Sequence, residues 1–141
     1  LKYSRTIGAV EAVANGYVEI IRCSNEHLIN YHRGFIEPQC EELRRVKVSV
    51  NRLLENTAIM LLKRKRVDYN YIENQYQRFS DLVLEIDKNQ IWRMQNGESW
   101  TRLNVLFYRI LQNAEKIAFH TQGLLYIFRE YFQDIGEEGN A

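Results

Sequence analysis

Apolar side chains recur at separations of three and four residues through almost the whole chain, and its only proline is Pro38. That spacing places the apolar side chains on one stripe of an α-helix. A chain with one proline among 141 residues also lacks the frequent turns that β-sandwiches and barrels need. We therefore expect an all-α fold built from long helices.

Four such stripes predict four helices joined by short connections, an arrangement typical of an antiparallel up-down-up-down four-helix bundle. The length of the chain fits one domain, residues 1–141. Because it begins with Leu1 and not with Met, we expect a fragment of a longer protein. The predicted helices are at about residues 7–32, 38–66, 69–96 and 100–133.

Local signals support these bounds. Thr6 and Ser99 are residues that cap helix N-termini, and Pro38 suits a first helical turn. Gly34 and Gly97 follow predicted helix ends, where a left-handed residue is often needed. We expect the tail from residue 136 to be frayed. The predicted core stripe of the first helix is Val10, Ala14, Tyr17, Ile21, Ser24, Leu28 and Tyr31. The stripe of the second helix is Leu43, Val46, Val50, Leu53, Thr57, Met60 and Leu61, that of the third is Ile72, Tyr76, Phe79, Val83, Ile86, Gln90 and Met94, and that of the fourth is Leu103, Leu106, Ile110, Ala114, Ile117, Thr121, Leu124 and Phe128.

Charge excludes some classes of function. The net charge of +1 does not give the basic footprint of a nucleic-acid binder. No stretch approaches the 18 apolar residues that cross a membrane. The net charge of +1 conceals an uneven distribution, because residues 37–66 carry eight basic and four acidic groups.

Cys23 and Cys40 are too few for a disulfide framework, so we expect reduced thiols.

Two features are candidate docking surfaces. The basic run Lys63, Arg64, Lys65 and Arg66 suits an anionic membrane surface or a solvated helix end, and is weak evidence for nucleic acid. The aromatic end of the fourth helix, with Tyr126 and Tyr131, suits either a partner or core packing at the end of the bundle.

No catalytic constellation is evident. Cys23, Glu26 and His27 offer mixed metal ligands, but there is no second ligand cluster, so no metal or cofactor is predicted. His120 precedes a glycine, Gly123, as in phosphotransfer bundles, but the lysine typical of such sites is missing. Neighbouring acids such as Asp81 and Glu85 fit a solvated helix face as well as an ion site.

The stretch at residues 87–94 contains Lys-x-Gln-Ile-x-Arg, and residues 100–111 lead into a helix with an aromatic-Tyr-x-Ile-Leu pattern. A His-Thr pair at 120–121, an Arg-x-x-Phe end at 129–132 and the entry at 32–36 continue the pattern. Together they resemble the C-terminal soluble region of PiT-type inorganic phosphate transporters of the Bacteroides type. The resemblance covers residues 25–132.

That region is similar to PhoU-type helical domains, which regulate phosphate transport. The resemblance implies a PhoU-like bundle on the cytoplasmic side of the inner membrane, with the transmembrane part of the same transporter as its partner and a homodimer as a further possibility. Glu115 and His120 match the family's helix pattern, but Phe119 replaces its acidic residue, so metal binding is not carried over.

We therefore expect a non-enzymatic regulatory domain of a membrane phosphate transporter that binds no nucleic acid. The alternatives are a stand-alone PhoU-like or adaptor signalling bundle and a phosphotransfer protein that uses His120.

Overall fold

A computed structural model describes the backbone over residues 2–63 and 69–138 and the side chains over residues 2–62 and 69–130. Within these residues the chain forms four helices and no strand, which confirms the predicted all-α class. The predicted end of the second helix at residue 66 lies outside the described residues. The helices are α1 (Lys2–Ile29), α2 (Glu37–Lys63), α3 (Tyr69–Gln95) and α4 (Thr101–Glu138).

The helices pack around one core, as in a helical bundle. α4 contacts each of the other three helices, and α2 also contacts α3. The stripes predicted for α2, α3 and α4 supply most of the buried side chains. One exception is Met94, which is exposed because its neighbour Arg93 occupies the buried position at that level of α3. The largest fully buried apolar side chains are Leu53, Ile72, Phe79, Ile86, Phe107, Ile117 and Leu125.

The core face predicted for α1 is wrong. Val10, Ile21 and Leu28 are more than half exposed, Ala14 is exposed, and Tyr31 is almost fully exposed. Tyr17 and Ser24 of that stripe are half-buried. The bundle instead buries a face of mostly smaller residues about a quarter of a turn away: Ala9, Val13, Gly16, Cys23 and His27.

Close approach of two helices explains this choice of face. A Cβ atom at Gly16 would lie 2.5 Å from Cγ1 of Ile117, which is fully buried, and 3.4 Å from the backbone oxygen of Asn113. Small residues on α1 therefore let its backbone come close to α4, where larger side chains would hold the two helices apart. Apolar spacing alone favoured the stripe with the larger side chains.

Several predicted helix ends also differ. Thr6 is not a cap, because α1 begins four residues earlier and the Thr6 hydroxyl donates to the carbonyl of Lys2 at 2.9 Å. α1 ends through Tyr31, whose φ is 52°, and not through Gly34. Gly97, with φ 69°, does end α3 as predicted. α4 begins at Thr101 and runs to Glu138, so the tail expected to fray from residue 136 begins in helix.

A buried ion pair joins α2 to α3. The guanidinium of Arg93 donates from Nη2 and Nη1 to the two carboxylate oxygens of Glu42, at 2.6 and 3.1 Å. Both side chains are less than a tenth exposed. Arg93 Nε also donates to Oε1 of Gln90 at 2.9 Å, and Asn89 donates to Glu42 at 2.9 Å. The bidentate geometry fixes the register of the two helices.

The same network extends to the two connections at this end of the bundle. Gln39 donates to Gln90 Oε1 at 3.1 Å and accepts from the backbone N–H of Ile36 at 3.1 Å. Gln90 donates to Asn104 and, at 3.1 Å, to the hydroxyl of Ser99, which the sequence predicted as a cap. The network therefore joins the α1–α2 connection, α3 and the start of α4.

Replacing Gly16 tests the close approach of α1 and α4. We expect Gly16→Ala to lower the free energy of unfolding by about 1–2 kcal/mol, because overlap with Ile117 outweighs the gain in helix propensity. The matched control is Gly8→Ala, since a Cβ at Gly8 in the same helix meets nothing within 4 Å. It should raise stability by about 0.5–1 kcal/mol. Urea unfolding of both variants measures this, and equal gains would show that the helices do not touch at Gly16.

Breaking the buried ion pair tests its contribution to stability. We expect Arg93→Met to cost about 3–5 kcal/mol, because it leaves the Glu42 carboxylate buried without a counter-charge. Glu42→Gln/Arg93→Met should recover most of that loss. Arg45→Met, which breaks the exposed pair with Glu85, should cost at most about 1 kcal/mol. If the single and double variants unfold at the same urea concentration, the ion pair is not the source of the stability.

Candidate functional site

The exposed face of α1 is the largest continuous apolar feature of that helix. Tyr3 is 79% exposed, and Ile21 and Leu28 are each 68% exposed. We call this face the outer seam. Its more than half-exposed members leave roughly 600 Å² of apolar surface in water, at the upper end of what monomeric proteins show. The outer seam consists of Tyr3, Ile7, Val10, Ala14, Val18, Ile21 and Leu28.

A second surface is a concave basic groove between α2 and α3, with a volume of about 360 Å³. We call it the arginine groove. Spacings of three and four residues bring its α2 residues to one side of the helix, and the same spacing does so on α3. From α2 it is lined by Glu41, Arg44, Arg45, Val48, Ser49 and Arg52, and from α3 by Gln75, Arg78 and Leu82.

Acids neutralise only part of the arginine groove. Arg44 forms an ion pair with Glu41, and Arg45 donates to Glu85 at 3.2 Å. Among the described side chains, Arg52 and Arg78 form no ion pair shorter than 4.0 Å. Four arginines therefore line the groove, and Glu41 is the one carboxylate among its lining residues. The excess of positive charge on residues 37–66 is apparent from the sequence, but the groove arginines were not predicted as a site, although the spacing of Arg44, Arg45 and Arg52 would place them on one side of α2.

A third site lies between the end of α1 and the start of α4, in a cavity of about 270 Å³. His27 and His32 are in edge-to-face contact there, with ring centroids 4.9 Å apart. His27 Nε2 donates to the carbonyl of Arg33 at 2.7 Å. Arg102 donates to His32 Nε2 at 2.7 Å, a contact that requires this nitrogen to be unprotonated. Partial burial, Arg102 and His27 together lower the pKa of His32.

The possible metal ligands near this cavity have other partners. The thiol of Cys23 points at the carbonyl of Ile20 at 3.4 Å, and Glu26 pairs with Arg22 at 2.6 Å. Nε2 of His27 is taken by the hydrogen bond to Arg33. Within the described ranges, no three side chains of His, Cys, Asp or Glu are grouped to hold a metal ion. Cys23 and Cys40 are free thiols.

Among the predicted site residues, Glu115, His120 and Tyr126 are those whose side chains the structure describes. Of the basic run, Arg64, Lys65 and Arg66 lie outside the described residues, as do the side chains of Lys63 and Tyr131. Tyr126 is partly exposed, and its hydroxyl donates to Glu73 at 3.3 Å. Its pKa is raised by desolvation and then by the charge of Glu73.

Glu115 and His120 lie on different sides of α4. Glu115 lines a cavity of about 550 Å³ between α3 and α4, together with the exposed side chains of Leu84 and Phe119. Desolvation, followed by the negative charge of Asp87, raises the pKa of Glu115. His120 is half-buried with its ring edge-on to Phe119, and the centroids are 5.3 Å apart. The two residues are not placed to act on one ligand.

Comparisons with known proteins do not add to this geometry. No protein-family model, curated protein or solved structure matches the chain. Among the described helices, none combines the length and the apolar character that crossing a bilayer requires. The outer seam, the arginine groove and the cavity between α1 and α4 are therefore the candidate sites of the chain.

Acidification should destabilise the fold through His32. Because its pKa is lowered from the usual value of 6.5, the unfolded chain binds more protons at this residue than the folded chain. The free energy of unfolding therefore falls as the pH drops from about 7 to 5. We expect a shallower loss of Tm over this range in His32→Gln, and an upward shift of the His32 pKa in Arg102→Gln by NMR titration. Identical pH profiles for His32→Gln and the unaltered chain would refute the linkage.

Proposed function

We propose that this chain is a non-catalytic regulatory and interaction domain that acts by binding, and that it pairs with a second copy of itself through the outer seam. The observation that carries the proposal is the exposure of large apolar side chains along most of α1. Exposed apolar patches of this size mark interaction surfaces. The buried polar network joins the α1–α2 connection to α3 and the start of α4, so hydrogen bonds hold the end of the bundle at which the seam reaches Leu28.

The spacing of the apolar residues in the outer seam favours a second copy of the same helix as its binding partner. Its members follow the seven-residue repeat by which two helices interlock side chains along a shared seam. The repeat positions are Ile7, Ala14, Ile21 and Leu28. Tyr3 lies four residues before Ile7, and Val10 lies four residues before Ala14.

Charge and size also favour self-association. α1 carries three basic and three acidic side chains, so two copies meet without net repulsion. The helix is about 40 Å long, and pairing along it buries an area comparable to the 800 Å² per partner of a specific interface. The charged residues of α1 are Lys2, Arg5 and Arg22 against Glu11, Glu19 and Glu26.

The setting that we propose is the cytoplasmic side of a PiT-type inorganic phosphate transporter, with the transmembrane part of that transporter as a further partner. This setting, and the up-down-up-down PhoU-like arrangement that goes with it, rest on the resemblance over residues 25–132. Contacts of α4 with α1 and with the connection that follows α1 support the antiparallel placement of these two helices, since Arg5 meets Glu130 and His32 meets Arg102. Such a domain would bias the transporter by contacting its conformations unequally.

The reading frame that encodes the chain distinguishes this setting from a stand-alone adaptor bundle. A transporter domain requires a multi-helix apolar region encoded upstream of Leu1. A frame without such a region contradicts the transporter setting and leaves self-association as the function of a separate adaptor.

A charge in the outer seam should prevent self-association. We expect sedimentation equilibrium to give a dimer for the unaltered chain and a monomer for Ile21→Glu, because a carboxylate in an apolar helix interface loses its hydration without a partner. The helical circular dichroism of the variant should be unchanged, since Ile21 is exposed in the single chain.

The matched control is Phe119→Glu, which places the same charge on an exposed apolar residue of α4. It should leave the dimer intact. A monomer for the unaltered chain at about 100 μM, a concentration at which a micromolar dimer is populated, would overturn the proposed self-association. Dissociation by Phe119→Glu and not by Ile21→Glu would place the interface on the α3–α4 side instead.

A further inference from the structure

The arginine groove brings two like charges to the same level of neighbouring helices. Arg45 of α2 pairs with Glu85 of α3, and Asn56 of α2 donates to Gln75 of α3 at 3.0 Å. These two contacts bracket the level at which α2 presents Arg52 and α3 presents Arg78. At this level the two helices present two guanidinium groups, whereas the levels on either side carry an ion pair and a hydrogen bond.

This juxtaposition leaves two positive charges of the groove without a paired carboxylate in the part of the chain that the structure describes. Like charges on adjacent helices repel, and no carboxylate among the described side chains pairs with either Arg52 or Arg78. Both side chains are exposed at the rim of a concave surface, so an anion can reach them from solvent. The geometry is that of a site in which the counter-charge comes from a ligand.

The remaining arginines of the groove can add to such a site. Arg44 and Arg45 are held only by exposed ion pairs, to Glu41 and Glu85, with side chains about half exposed. Exposed pairs of this kind contribute little stability, so a ligand can recruit their guanidinium groups at small cost. The ligand then meets up to four planar donors, each able to form two parallel hydrogen bonds.

The neutral walls restrict the ligand further. Val48 and Leu82 give the groove an apolar part, and Ser49 gives it a hydroxyl. Gln75 is held in place because its amide nitrogen donates to the hydroxyl of Tyr71 at 3.2 Å while its oxygen accepts from Asn56. A volume of about 360 Å³ exceeds what a single carboxylate fills, so a larger anion fits better.

We infer that the arginine groove binds a phosphate group carrying at least two negative charges, with the carbon skeleton of its ester on Val48 and Leu82. Guanidinium groups match phosphate oxygens in geometry as well as in charge. A phosphate monoester on a lipid headgroup and a soluble phosphate compound share this chemistry. The inference does not depend on the proposed dimer, because the groove is formed by α2 and α3 and the outer seam by α1.

The experiment uses the full chain and two kinds of probe. Calorimetric titration with pyrophosphate tests a soluble source. Co-sedimentation with phosphatidylcholine vesicles, with and without phosphatidic acid, tests a lipid source. We expect binding to at least one of the two phosphate probes, no binding to phosphatidylcholine alone, and weaker binding as salt is raised.

The test variant is Arg52→Gln/Arg78→Gln, which we expect to weaken binding about 30-fold or more, since hydrogen bonds to charged groups are lost. Its Tm without ligand should equal or exceed that of the unaltered chain, because the repulsion is gone. The control Lys88→Gln/Lys116→Gln removes the same charge from residues outside the groove. It should change the affinity less than about threefold at physiological salt.

The possible outcomes distinguish a soluble phosphate compound from a lipid headgroup. Binding of pyrophosphate that the arginine variant loses supports a soluble ligand, and vesicle binding that it loses supports a lipid headgroup. No binding to either probe, or equal losses in the arginine and lysine variants, overturns the inference. The seam variant Ile21→Glu should bind as the unaltered chain does, so failure of the dimer and failure of the groove are observed separately.

Discussion

The buried pair of Glu42 and Arg93 is the constraint on which the rest of the structure depends. Two charges removed from water are tolerated only if their remaining hydrogen-bonding capacity is met, and Gln90 and Asn89 meet part of it. The contacts of Glu42 with Arg93 and with Asn89 hold only for one register of α2 against α3. The register in turn decides which residues lie at the same level of the two helices, including Arg52 and Arg78 of the arginine groove.

α1 is held by a different kind of contact. Its small residues allow a close approach to α4, which uses one face of the helix and leaves the larger apolar side chains outside. A helix with two apolar faces, one buried in its own bundle and one exposed, has a surface available for a second helix. The stability of the bundle and its proposed capacity to associate are therefore separate properties of the same helix.

Much of the fold followed from the sequence because long helices with one apolar face have a periodic pattern. The core stripes of α2, α3 and α4 are of this type, and Gly97 ended α3 as expected. The predicted core face of α1 was wrong because this helix carries two apolar stripes. The small size of Gly16 and Ala9 determines which of the two stripes is buried against α4. Periodicity records which residues are apolar, but not how closely two backbones approach.

The candidate sites were harder to predict than the fold. The arginine groove depends on the register between α2 and α3, which a single sequence does not give, so Arg52 and Arg78 were not brought together. His32 is a similar case, because Arg102, its hydrogen-bond donor, is 70 residues away. The basic run at residues 63–66 was conspicuous because its charges are consecutive, whereas the groove arginines come from two helices.

We propose that the outer seam of α1 is an interface in the functional protein. Amide hydrogen exchange measured at two protein concentrations locates the interface on the chain. We expect exchange in α1 to slow as the concentration rises, while exchange in α2 and α3 stays the same. Exchange in α1 that does not depend on concentration, over a range in which the chain is seen to associate, would exclude an interface on this face.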